Sequence, residues 1–250
     1  MKKKHITGYL LALIISSSAA FAQVSDGTKV GINSGRGLNA LKSDVFWTSP
    51  TEAPNVIGDF YIDSLWQEGK VKFTSIVPQL GGWNSDSLAG IQMRYNTLND
   101  ELEVLADKSK NDIRVIRGSQ LKNFTINAGT DPVMYVNAAA FKSDKPLKGF
   151  ARMVADGNLS LVEYFYPKIT KPNYNPGFNT GEKNTVVRQG SDYYVISNGT
   201  AEKASLSKKG ILAFMKEKQK DVEAYVKEKN INFKNEYDVV QLFKFYNGLK

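Results

Sequence analysis

The hydrophobic period of this chain changes once, near Leu206, and that change limits the folds open to it more than any other feature. Before Leu206 apolar and polar residues alternate with period 2; after it apolar residues recur every three or four positions. Val71, Phe73, Ser75 and Val77 alternate with Lys70, Lys72 and Thr74. Ile91, Met93 and Tyr95 alternate with Gln92, Arg94 and Asn96, and Leu102 and Val104 are flanked by Glu101 and Glu103. Such runs describe antiparallel sheet with one dry and one wet face. Asp156-Gly157 and Asn198-Gly199 lie between runs and supply the positive-φ residues that tight hairpin turns need; Glu68-Gly69 and Asn99-Asp100 carry a weaker form of that signal. Beyond Leu206, Ser207 is an N-cap candidate for a helix bearing Ile211, Phe214 and Met215. Val222, Tyr225 and Val226 continue the helical spacing to Asn230, a residue suited to a left-handed C-cap. Asn235 with Asp238 resembles a capping box, and Val239, Leu242, Phe243 and Tyr246 then share one face up to Gly248. The expected fold is mainly β: an antiparallel, hairpin-built curved sheet or partial barrel with two or three C-terminal helices packed on it.

The N-terminus follows a different logic. Lys2, Lys3 and Lys4 precede an apolar stretch, Leu10 to Ile15, shorter than the roughly 20 residues a bilayer span requires, and Ala20-Phe21-Ala22 has the A-x-A form of a cleavage site. Residues 1–22 therefore read as a cleavable signal peptide that leaves Gln23 first. Residues 23–56, rich in Gly, Ser, Asn and Pro, read as an extended arm; 57–206 form the antiparallel β domain and 207–250 the helical segment. An exported protein is expected, periplasmic or extracellular or peripheral to the outer membrane, with no transmembrane segment after cleavage. It is not a lipoprotein, since there is no cysteine to acylate.

Two absences narrow the chemistry. The chain has no Cys and a single His, and that residue, His5, leaves with the leader. Ser-His-Asp and Cys-His catalysis, His- or thiolate-bound zinc, His-ligated haem and iron–sulfur clusters are then closed to the mature protein. No catalytic residue, metal or cofactor is expected, and any enzyme chemistry would rest on carboxylates, Lys, Tyr or Ser. Cleavage removes three lysines and no acids, lowering the formal charge from +8 to +5. That moderate excess needs no nucleic-acid partner and attracts anionic lipid or polysaccharide only weakly through screened surface charge.

The stretches VIGDFYIDSLWQEGKVKF and QMRYNTLNDELEVL, and the Lys-rich tail ending in FKFYNGLK, resemble segments of uncharacterised exported proteins of Bacteroidota. The resemblance covers most of 56–250. It implies a secreted or periplasmic protein with a β body and a helical end, and it carries no activity and no functional residues.

Gly35-Arg36-Gly37-Leu38-Asn39-Ala40 has the spacing of a dinucleotide loop but follows a polar, Gly-broken stretch rather than a buried strand, so it reads as flexible arm. Glu101 and Glu103 share a strand face, as a glycosidase pair would, yet opposite Leu102 and Val104 they read as the solvated side. The Lys-rich stretch 208–229 is interspersed with Glu217, Asp221, Glu223 and Glu228, the pattern of a solvated helix surface. Aromatic residues offer more. Trp66 and Phe165 read as core, but Tyr166 borders, and Tyr174 and Phe178 lie within, a long connection over 168–183 whose Pro, Gly and Asn content demands no burial. Tyr174, Phe178 and Tyr166 are the candidate ligand-binding residues. The function expected is a non-catalytic envelope protein that binds or scaffolds a protein, lipid or glycan partner. A carboxylate hydrolase, for example one acting on glycans, is the alternative.

Overall fold

The computed structural model describes residues 50–51, 55–78, 84–128 and 131–249; the leader and most of the arm, with the Gly35–Ala40 motif, lie outside the described residues. Among the described residues eleven strands form one sheet: β1 (Val56–Gly58), β2 (Gln67–Pro78), β3 (Asn84–Asn96), β4 (Glu101–Asp107), β5 (Asp112–Arg117), β6 (Leu121–Ala128), β7 (Asp131–Asn137), β8 (Phe150–Ala155), β9 (Leu159–Thr170), β10 (Thr185–Ser197) and β11 (Thr200–Ala204). Their order is β1-β10-β9-β8-β7-β6-β2-β3-β4-β5, with β11 also on β10. Neighbours pair antiparallel except β1 and β10, which pair parallel. Three helices follow: α1 (Lys208–Leu212), α2 (Gln219–Glu228) and α3 (Glu236–Gly248).

Turn chemistry explains most of the hairpins. Ser197 pairs with Thr200, so Asn198 (φ 50°) and Gly199 (φ 75°) alone make the β10–β11 turn, both left-handed as a type I′ turn requires. Asp156-Gly157 lies in the three-residue β8–β9 link, and Asp100 (φ 54°) closes the β3–β4 turn. Glu68-Gly69 is a correction: it sits inside β2. A Cβ on Gly69 would lie 2.1 Å from the Thr125 carbonyl oxygen, and the β2–β3 register shifts just after it. This glycine permits the close approach of β6 instead of a turn.

The sheet curls without closing, and its inner face is filled by aromatic rings. Phe124 lies 4.8 Å from Tyr135, 4.9 Å from Phe150 and 5.6 Å from Tyr95, with Val71, Phe73, Met93, Leu102, Val104 and Ile116 buried around them. The chain between β1 and β2 crosses the gap that the curl leaves. Asp59 N–H donates to Val187 O on β10 (3.0 Å), whereas Thr97 N–H donates to Phe60 O (2.8 Å) and Ile62 N–H to Tyr95 O on β3 (3.2 Å). A cavity lined by Ile62, Met93, Phe124, Ile126 and Tyr135 holds about 10 Å³, room for about one water and too little for an acyl chain.

The helices build a second core on the same face at its other end. Ile211, Met215, Val222, Val226, Val239, Leu242 and Phe243 are buried with Ala155, Leu159, Leu161 and Val195 of the sheet. The Ser207 hydroxyl accepts from Gly210 N–H, Asn230 (φ 50°) terminates α2, and Asn235 accepts from Tyr237 and Asp238 N–H. The capping box is only half made, because the Asp238 carboxylate accepts from Asn232 N–H at 2.9 Å. Among the described residues no helix is long and apolar enough to cross a membrane.

Candidate ligand-binding face

The β9–β10 register decides which side chains share a surface. Tyr164 pairs with Asp192, Tyr166 with Gly190 and Lys168 with Arg188, while Tyr194 pairs with Val162 and with Lys203 of β11. Directly paired and alternate residues point the same way, so Tyr164, Tyr166, Lys168, Arg188, Asp192, Tyr194 and Lys203 line one face. It is the face opposite the helices. Tyr164 and Tyr166 stack with centroids 5.9 Å apart at 25°, and Tyr194 meets Tyr164 edge-on at 6.0 Å and 87°. Tyr164 and Tyr194 pack with Val162, Ile196, Ala151 and Ala201, and Lys148 N–H donates to the Tyr164 hydroxyl at 3.3 Å. All three rings remain half-buried. Burial, then the Asp192 charge, raises the Tyr194 phenol, so it stays a neutral hydroxyl at physiological pH.

Gly190 shapes this surface by what it lacks. A Cβ there would stand 2.6 Å from Lys168 Cε and 2.8 Å from Tyr166 Cε2. With none, the Tyr166 ring and the Lys168 stem lie across β10, and Lys168 Nζ rests 5.7 Å from the Tyr166 centroid. Lys203 Nζ is neutralised by Asp192 at 2.7 Å. Lys168 and Arg188, opposed across the ladder, have no carboxylate within ion-pairing distance among the described residues.

The aromatic residues singled out in the sequence are not brought to one place. Tyr166 lies on this face. β9 extends to Thr170, so the connection starts at 171 rather than 168, and it folds back on itself through Asn173 N–H to Glu182 O (2.9 Å) and Asn175 N–H to Thr180 O (2.8 Å). Within it the Tyr174 hydroxyl donates to Asn179 Oδ1 (2.8 Å) beneath Lys183 Nζ at 4.4 Å, and Phe178 is 79% exposed. Tyr166 is four ladder steps, about 13 Å, short of the strand end, which parts it from these two. Tyr194 and Gly190 were the residues missed. The signal for them was the pair of tyrosine-bearing runs on either side of one long connection, which dock as a hairpin.

The acidic pair requires a second correction. Glu101 and Glu103 are buried, not solvated, at 8% and 2% exposure. Thr51, Tyr61 and Trp66 lie over that side of β3 and β4, so it is not a wet face. Thr51 donates to Glu101 through both its hydroxyl and its N–H. Glu103 accepts from the Tyr61 hydroxyl at 2.8 Å and from Arg94 Nε at 2.8 Å, with Arg94 Nη2 at 2.7 Å. Arg94 is itself stacked between Tyr61 (4.2 Å) and Trp66 (4.4 Å). Burial and the bond to Glu103 push the Tyr61 phenol up to about 12. Both Glu103 oxygens are thus engaged in holding the N-terminal segment down. Asp100 is a third enclosed acid: it accepts from the Tyr95 hydroxyl at 2.6 Å, and burial raises its carboxyl above the usual range. Among the described residues no three His, Cys, Asp or Glu side chains gather to hold a metal ion. Compared with known proteins, the chain matches no family model, no curated protein and no solved structure.

Proposed function

We propose that this protein is an exported, non-catalytic binding module of the cell envelope, and that the face bearing Tyr164, Tyr166 and Tyr194 holds its ligand. One observation carries the reading: three half-buried tyrosine rings share a sheet face, two of them, Tyr164 and Tyr194, seated on a packed core and the third, Tyr166, stacked on Tyr164. Rings anchored in this way lose little conformational freedom on contact, and they present flat apolar surface with a hydroxyl at its edge. The inner face of the sheet is filled with side chains, whereas at β9 and β10 the outer face leaves Tyr164, Tyr166 and Tyr194 partly exposed. The export half of the reading rests on residues 1–22.

Sedimentation of purified protein with isolated cell envelopes tests the ligand half. The native protein is expected to pellet with envelopes, and Tyr164→Ser/Tyr166→Ser is expected to lose at least tenfold in affinity with an unchanged circular dichroism spectrum. Equal pelleting of both proteins would reject the platform. Mass spectrometry of the protein from the periplasm or medium checks export, with an N-terminus at Gln23 expected.

A further inference from the structure

The two cations beside the tyrosines say what kind of ligand this face takes. Lys168 and Arg188 are direct cross-strand partners, which places their Cβ atoms about 5 Å apart, an arrangement that costs stability when both residues carry the same charge. Among the described residues, most other strand arginines are answered by an acid, Arg117 of β5 being the exception. Arg94 has Glu103 at 2.7 Å, Arg114 has Asp112 at 2.7 Å, and Arg152 has Glu163 at 2.6 Å and Glu236 at 2.5 Å. Lys203 on the same face has Asp192. Lys168 and Arg188 alone on this surface stand opposed with no acid, and they do so at the end of the row Tyr194, Tyr164, Tyr166.

We infer that this row binds an acidic polysaccharide, its sugar units laid across the outer edges and hydroxyl groups of Tyr164 and Tyr166 and a carboxylate or sulfate group held between Lys168 and Arg188. The inference rests on the platform proposed above and names its ligand class. Tyr164 and Tyr166 stack on each other with centroids 5.9 Å apart, so a sugar chain meets their outer edges and hydroxyl groups, which offer apolar contact and hydrogen bonds together. Gly190 keeps β10 low at this point, and a chain laid along the tyrosines meets the Lys168–Arg188 pair next. Asp192 does not repel it, because Lys203 cancels that charge within the face. An arginine fork and a lysine ammonium together suit a carboxylate or sulfate, which accepts several charge-assisted hydrogen bonds at once.

Affinity electrophoresis in gels containing alginate, with dextran as the neutral control, tests this on the full mature chain. Alginate is expected to retard the native protein strongly and dextran hardly at all. Lys168→Ser/Arg188→Ser is expected to weaken alginate binding at least tenfold. Lys220→Ser/Lys227→Ser, which removes the same charge from the exposed face of α2, is expected to leave it within twofold. Alginate binding that survives the first double variant, or falls equally in both, would overturn the inference, as would an absence of alginate binding. Dextran binding abolished by Tyr164→Ser/Tyr166→Ser would overturn it too while leaving the platform standing. Anionic phosphatidylglycerol vesicles run in parallel as a competitor; if they displace the protein from alginate through the same two cations, with the tyrosine variant unaffected, a charged lipid surface replaces the polysaccharide.

Discussion

Of the places where a cation is set against a tyrosine, two have been finished differently: Arg94 over Tyr61 and Lys168 over Tyr166. At the β3–β4 end, Arg94 is clamped between Tyr61 and Trp66, and a carboxylate, Glu103, completes the set at 2.7 Å. At the β9–β10 hairpin, Lys168 rests on Tyr166 with Arg188 opposite, and no acid closes the group. The ingredients are nearly the same; the carboxylate makes the difference. Where it is present, both carboxylate oxygens and the guanidinium are answered internally and the cluster fastens Tyr61 and Trp66 to the sheet. Where it is missing, charge is left facing outward and the surface is free to meet a ligand.

Breaking the closed cluster should have the largest effect. Arg94→Ala leaves Glu103, 3% exposed at its side chain, buried without a counter-charge, and should cost about 3–4 kcal/mol, the range seen when one partner of a buried pair is removed. Urea unfolding measures it. Arg94→Met with Glu103→Leu should recover more than half of that loss, because two apolar residues leave no unmatched charge. A single substitution costing under about 1 kcal/mol would show that the cluster is not closed in the sense drawn here. Arg152→Ala comes next, at about 2 kcal/mol, since Glu236 is 40% exposed and keeps some hydration when its partner is lost. This variant should loosen α3 first, read as faster amide exchange at Val239 and Leu242 than at Phe124.

How legible these regions are in the sequence differs for a physical reason. Period-2 alternation in β2, β3 and β4, and the Asn-Gly and Asp-Gly turns, are local signals, and the β-rich architecture with its helical end follows from them. β7 is less marked, because Val133–Val136 is a continuous apolar run without alternation, whereas β6 alternates as plainly as β2, with Phe124, Ile126 and Ala128 against Asn123, Thr125 and Asn127. The burial of Glu101 and Glu103 could not be read at all. It depends on a segment some 40 residues upstream in sequence, Tyr61 reaching Glu103, and alternation reports only which side a residue faces, not what later covers it. The binding face lies between these cases: Tyr166 is visible in its own run, but Gly190 and Tyr194 join it only once β9 and β10 are in register.

Two carboxyls titrate in opposite senses and separate the interior from the helix clasp. Asp100 has its carboxyl raised in the fold by burial. Its contribution to stability is therefore greatest below the ordinary aspartate range and is lost as pH rises through the raised value. Glu236 is lowered, chiefly by its hydrogen bond to Arg152, so its contribution is present above the ordinary glutamate range and is lost as pH falls through the lowered value. Asp100→Asn, which keeps an oxygen for the Tyr95 hydroxyl and tolerates the left-handed backbone, should gain stability at pH 7 and nothing at pH 3. Glu236→Gln should lose stability at pH 7 and little at pH 3. Urea midpoints at the two pH values give both signs, and the same sign for both variants would contradict the assignment.

The smallest expected effect is the sharpest test of the open cluster. If Lys168 and Arg188 are held for a ligand and not for the fold, Lys168→Ser/Arg188→Ser should leave stability unchanged or raise it by up to about 0.5 kcal/mol, since a like-charge cross-strand pair is removed and no internal partner is orphaned. Serine keeps a polar surface, so solubility does not confuse the comparison. The urea midpoint should therefore move upward or stay still, in contrast to the fall produced by Arg94→Ala. The two results together locate the difference in the carboxylate: one cation cannot be spared because an acid depends on it, while the other pair has only the Tyr166 ring against Lys168, a contact worth about 0.5–1 kcal/mol at most when exposed. A loss above about 1 kcal/mol in the serine variant would mean that a stronger internal contact already satisfies Lys168 or Arg188, and the face would then be as closed as the one beneath Tyr61 and Trp66.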